Sequence, residues 1–168
     1  MFNKYILLSI LIIASVFSSG CLIDNNSKAN QSIGPDFIPK TDLPAGFTYM
    51  GIHETTLNIA NSTVNGFEGI YRYGKDDIYI IAIKNDDPEA LLSQYKADLR
   101  APFKAEYDPF EEITINGHSA TKFTGFRIEN GKTVQRYSLI WAKNGYLIQV
   151  GSFADVNPVV VLASATGY

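Results

Sequence analysis

Two histidines, one cysteine and several adjacent carboxylates are the side chains of this 168-residue chain best suited to chemistry. An imidazole beside a carboxylate is the usual equipment for general acid–base work. His53 adjoins Glu54 in the sequence; successive residues of a strand project to opposite faces, so the two would not act together. His118 directly follows an Asn-Gly pair and reads as the exposed first residue of a strand after a tight turn. The carboxylate pairs Asp76/Asp77, Asp86/Asp87 and Glu111/Glu112 do not continue into the six to eight oxygen ligands that calcium takes. Glycoside hydrolysis needs two carboxylates converging at about 5 to 10 Å, which adjacency in sequence does not supply. Gly-x-Ser-x-Gly, Walker and His-Glu-x-x-His patterns are missing from the chain. The expectation is a protein that is not an enzyme, with no catalytic residue, no metal and no cofactor; a hydrolase is the remote alternative.

The lone cysteine asks for a different explanation. Residues 1–20 carry Lys4, then an apolar run over 5–17, then Ser18, Ser19 and Gly20 before Cys21, the layout of an export signal. Ser19, Gly20 and Cys21 resemble the end of a prokaryotic lipoprotein signal, in which the cysteine is acylated and becomes the first mature residue. Ser18 stands where that family prefers Leu. An ordinary signal peptide cut near Gly20, or an uncleaved anchor over 5–23, remain as other readings. In each case Lys4 before the apolar run favours a domain outside the cytoplasmic membrane. The expected location is its outer face in the cell envelope, lipid-anchored, with the membrane as one partner. Residues 21–40, rich in Asn, Ser, Gly and Pro, read as a flexible tether, and 41–168 as one domain. Asn25, Asn30 and Asn61 each begin an Asn-x-Ser/Thr triplet that would be exposed for glycosylation.

For binding, Lys122, Arg136, Ser138 and Gln149 are placed by strand alternation on one uncovered sheet face, with Arg72 and tyrosines such as Tyr71 or Tyr73 beside them. Such a polar, aromatic surface suits a glycan, a peptide or another envelope protein. A merely solvated sheet face has the same composition, which leaves a structural envelope component as the alternative. The formal charge of −3 at neutral pH lacks the basic footprint of a nucleic-acid binder.

The elements that must hold these residues are announced by turns. Asn-Gly pairs begin at Asn116, Asn130 and Asn144, fourteen residues apart, between runs of β-formers. Asn-Gly supplies the positive φ values of a type I′ hairpin turn, so an antiparallel meander follows. Upstream, strands are expected over 47–52, 65–73 and 78–84, the last (IYIIAIK) apolar on both faces and therefore covered. Asp87-Pro88 caps and starts a helix with Leu91, Leu92, Tyr95 and Leu99 on one side. Asn157-Pro158 starts a second, shorter one over 159–166. The fold class is α+β: a twisted antiparallel sheet of about six or seven strands with two helices packed on one face.

Residues 112–168 carry Asn116-Gly117-His118-Ser119-Ala120, then Leu139-Ile140-Trp141-Ala142-Lys143-Asn144-Gly145-Tyr146, then a terminal helix ending in Gly167-Tyr168. This pattern, about a third of the chain, resembles small exported domains of archaeal and bacterial surface lipoproteins. It is similar to the domain of unknown function DUF4367 and to the PsbP/Mog1-like fold. The resemblance implies a sheet-and-helix domain and brings no catalytic residues.

Overall fold

The computed structural model describes residues 34–168; the signal-like segment, Cys21, Asn25 and Asn30 lie outside the described residues. Among the described residues seven strands form one open antiparallel sheet: β1 (Phe47–Ile59), β2 (Ser62–Tyr73), β3 (Asp76–Lys84), β4 (Phe110–Ile115), β5 (His118–Glu129), β6 (Lys132–Lys143) and β7 (Tyr146–Phe153). Two helices accompany them, α1 (Pro88–Arg100) between β3 and β4, and α2 (Val156–Ser164) at the C-terminus. The strand order is β1-β2-β3-β7-β6-β5-β4. Two meanders thus meet at β3 and β7, and α1 carries the chain from the centre of the sheet to its far edge.

The turn chemistry is as expected. Asn116, Asn130 and Asn144 have φ of 47°, 49° and 50°, each followed by a glycine with positive φ. A fourth tight turn uses Ala60 and Asn61, at φ 50° and 62°, without glycine. It lies between β1 and β2, so the first strand continues past residue 52 to Ile59 and Asn65-Gly66 falls inside β2. Pairing over twelve positions against β2 stabilises a left-handed turn that local propensity alone does not signal.

Helix α1 starts as its sequence dictates: Asp87 accepts from the Ala90 amide at 3.0 Å and Pro88 occupies the first turn. Helix α2 begins earlier than expected, because Asp155 is the residue that caps it, accepting from the Asn157 amide at 2.9 Å.

Both sheet faces are covered, and the helices take opposite faces rather than the single face expected. Val159, Leu162 and Ala163 of α2 pack with Ile80, Ala82, Leu139, Trp141, Ile148 and Val150. Leu91, Leu92, Tyr95 and Leu99 of α1 pack with Ile81, Ile83, Ile140 and Leu147. Alternation through β3, β6 and β7 therefore presents apolar side chains to both sides, and each side must be shielded from water. The domain also begins before residue 41. Phe37 and Ile38 are buried in the α2-side core, and the Tyr71 hydroxyl donates to the Pro39 carbonyl at 2.8 Å. The end of the expected tether is part of the fold.

Candidate functional site

The residues expected to share one binding face are divided by register. β5 and β6 pair Lys122 with Leu139 and Phe123 with Ser138. Cross-strand partners share a face, so Lys122 lies on the α2 side while Ser138 lies on the α1 side. Lys122 forms an ion pair there with Glu111, its partner across the β4–β5 ladder. Arg136, Ser138 and Gln149 do share the α1 side; Gln149 lies opposite Ile140 and Ile81. Arg72 is on that side too, but on β2, bonded to its cross-strand partner Asp77. Tyr71 is fully buried and unavailable to a ligand, whereas Tyr73 packs against Phe47 and Phe153.

The histidines stand apart from each other. His53 is opposite Glu68 across the β1–β2 ladder, with Nε2 and Oε1 3.4 Å apart on an exposed stretch. His118 is not the exposed residue expected at a strand start. Its ring packs 5.6 Å from the Trp141 ring, and both its nitrogens are buried without a hydrogen-bond partner. Burial, helped by nearby Lys143, pushes its pKa below the ordinary histidine value. Among the described residues no three His, Cys, Asp or Glu side chains gather as a metal site would require. Asn61 is exposed at the β1–β2 turn.

What the structure assembles around Arg136 and Ser138 is a groove of about 250 Å³ between the end of α1, the 101–109 loop and the β5–β6 hairpin. Phe103, Phe123 and Phe126 supply its apolar walls; Asp98, Arg127, Arg136, Ser138 and Ser152 supply its polar groups. Phe103 stacks on Tyr107 at 5.2 Å and 22°, and Phe126 lies 6.2 Å from Phe103 and 6.3 Å from Tyr107. Phe126 is 53% exposed and Tyr107 39%. Together with Pro102 and Lys104 these rings form a shelf that continues the groove outward.

Each wall is positioned by identifiable bonds. Pro102 cannot continue α1, and the loop after it is held by Arg100, whose guanidinium donates to the carbonyls of Lys104 at 2.8 Å and Ala105 at 2.7 Å. Asp98 accepts from the Ala60 amide at 2.7 Å, which ties α1 to the β1–β2 turn. On the sheet side, Glu129 neutralises Arg136, its Oε1 accepting from Nε at 2.9 Å. Gly125 keeps the floor open: a side chain there would begin 2.8 Å from the Phe123 ring.

Beneath the floor runs a polar relay. Tyr95 donates to Gln149 Oε1 at 2.5 Å, and the Gln149 amide reaches Ser138 Oγ at 3.5 Å. Ser138 is 3% exposed. Its oxygen accepts in this relay, and its own proton has no protein acceptor among the described residues. Burial raises the Tyr95 pKa to about 12, with Asp98 adding to the shift, so the phenol remains a neutral donor.

A second, larger concavity of about 690 Å³ lies over β1, β2 and β3, lined by Glu54, Thr56, Asn65, Phe67, Lys84 and Tyr146 among others. Its charged groups Glu54 and Lys84 are exposed and already solvated. A buried hydroxyl and a part-buried, ion-paired guanidinium under aromatic walls distinguish the first groove. Sequence reasoning found Arg136, Ser138 and Gln149 but missed the aromatic walls and Arg127. The available signal was Phe126 and Ile128, large apolar residues near the tip of a hairpin whose core positions were already filled.

No family model matches the chain, and no curated protein does. A solved structure with some likeness is that of LpqN, involved in cell envelope biogenesis of Mycobacterium tuberculosis. It is 19% identical, with 73% of this chain and 75% of that one covered, at a TM-score of 0.33. At that score the likeness carries no argument about this chain.

Proposed function

We propose that this protein is an extracytoplasmic, lipid-anchored component of the cell envelope whose domain binds a glycan in the aromatic groove. Cys21 after Ser19-Gly20 supports the anchor, and the apolar run before it supports export. Two or more acyl chains would hold the protein stably at the membrane, where one would not. The outer face of the cytoplasmic membrane is the location this reading assigns, and binding rather than catalysis is the activity.

One observation carries the ligand class: aromatic rings wall a groove whose floor offers a buried hydroxyl and a part-buried, ion-paired guanidinium. Sugar rings present apolar C–H faces and polar edges together, which matches that lining. An acyl chain would cover the rings but leave the buried Ser138 hydroxyl without a new partner, at a cost of about 1 to 3 kcal/mol. Calorimetric titration of the detergent-solubilised full chain with envelope oligosaccharides is expected to give saturable binding. Phe126→Ala is expected to weaken it at least tenfold, and its exposed side chain can be truncated with little effect on folding. Binding that is indifferent to this substitution would place the site elsewhere. Mass spectrometry of the mature N-terminus tests the anchor, which requires a diacylated Cys21.

A further inference from the structure

Charges around the groove are unevenly committed. Asp98 is occupied by the Ala60 amide, and Arg136 is neutralised by Glu129. Arg127 lines the same groove, is exposed, and has neither an ion pair nor a side-chain hydrogen bond among the described residues. Lys104, on the shelf beyond Phe103, likewise offers an uncommitted ammonium. Among the described residues the rim thus carries two uncommitted cations flanking the aromatic walls, whereas the carboxylates of Asp98 and Glu129 are already in use.

We infer that the ligand is an acidic sugar, a pyranose bearing a carboxylate, which Arg127 recognises through a paired, bidentate contact. The inference rests on the glycan reading above and deepens it. The guanidinium is planar and presents two parallel N–H groups, the geometry a carboxylate accepts, and such charge-assisted bonds are roughly twice as strong as neutral ones. The sugar's C–H face then lies against Phe126 and Phe103. A ring hydroxyl or ether oxygen accepts the free proton of Ser138, satisfying the buried hydroxyl that the protein leaves with an unused donor. Lys104 adds long-range attraction that salt screens.

The test titrates the full chain in detergent with an oligomer of galacturonic acid and with its neutral counterpart, a galactose oligomer of the same length. The acidic oligomer is expected to bind at least tenfold more tightly, with the difference shrinking as salt is raised. Arg127→Gln is expected to abolish the preference, bringing the acidic and neutral oligomers to equal affinity. Arg127→Lys keeps the charge but not the fork and is expected to retain part of that preference. Equal affinity for the two oligomers, or an Arg127→Gln variant that still prefers the acidic one, would overturn the inference while leaving the glycan reading intact. Absence of binding by both oligomers would overturn the two together.

Discussion

The Tyr95 hydroxyl on α1 donates to Gln149 Oε1 on β7 at 2.5 Å, joining a helix to a strand 54 residues further along the chain. The bond fixes α1 over the sheet and orients the Gln149 amide toward Ser138, so the helix that covers one face also arranges the polar floor of the groove.

Replacing Tyr95 by Phe removes the donor and leaves the partly buried amide oxygen of Gln149 unsatisfied. The expected loss is about 1 to 3 kcal/mol in guanidinium unfolding, with most of it recovered when Gln149→Leu is added. A single variant as stable as the parent would show that the bond contributes nothing net.

The N-terminal boundary makes a second prediction. Ile38 is 1% exposed and Phe37 8%, both within the α2-side core. A chain starting at residue 41 loses both, at about 1.5 to 3 kcal/mol for each buried side chain. Ile38→Ala alone is expected to cost about 2 to 5 kcal/mol. Thermal unfolding of chains starting at 34 and at 41 gives the comparison; equal midpoints would contradict the packing.

Glu112 accepts from Thr121 Oγ1 at 2.7 Å, Ser119 Oγ at 3.0 Å and Lys96 Nζ at 3.1 Å, clamping α1 to β4 and β5. Burial by itself would raise its pKa; the three hydrogen bonds and the Lys96 charge outweigh that and hold it below the ordinary value of 4.5. The unfolded chain therefore takes up the proton first. This contribution is present above about pH 4.5 and is lost as pH falls through the folded value. Glu112→Gln is expected to flatten that part of the stability profile, by a modest amount because the carboxylate is 61% exposed.

His118 acts in the same direction at higher pH. Its folded pKa is depressed by burial and by Lys143, so the unfolded imidazole binds a proton first, near its ordinary value of 6.5. Stability is expected to decline as pH falls below that value, and His118→Phe to remove the decline on the acid side of the ordinary histidine value. An unchanged slope in urea titrations across that range would place the titrating group elsewhere.

Much of this architecture is local and was legible in the chain. The Asn-Gly turns at 116, 130 and 144 need only the left-handed tolerance of two adjacent residues, and Asp87-Pro88 needs only a free helix terminus. The double-sided apolar run of β3 announced a covered strand, but the expected placement of both helices on one face left the other side open, and only packing put α1 and α2 on opposite faces. What the tertiary structure decided were relationships across strands. A shift of one residue in pairing exchanges faces, so the separation of Lys122 from Ser138 depended on the β5–β6 register, which no single strand encodes. The Ala60-Asn61 turn formed because long pairing on either side outweighs weak local preference. The aromatic groove joins Phe103 from a loop, Phe126 from a hairpin and Ser138 from a buried strand. Convergence of residues so far apart in sequence is produced by packing, which sequence periodicity does not report.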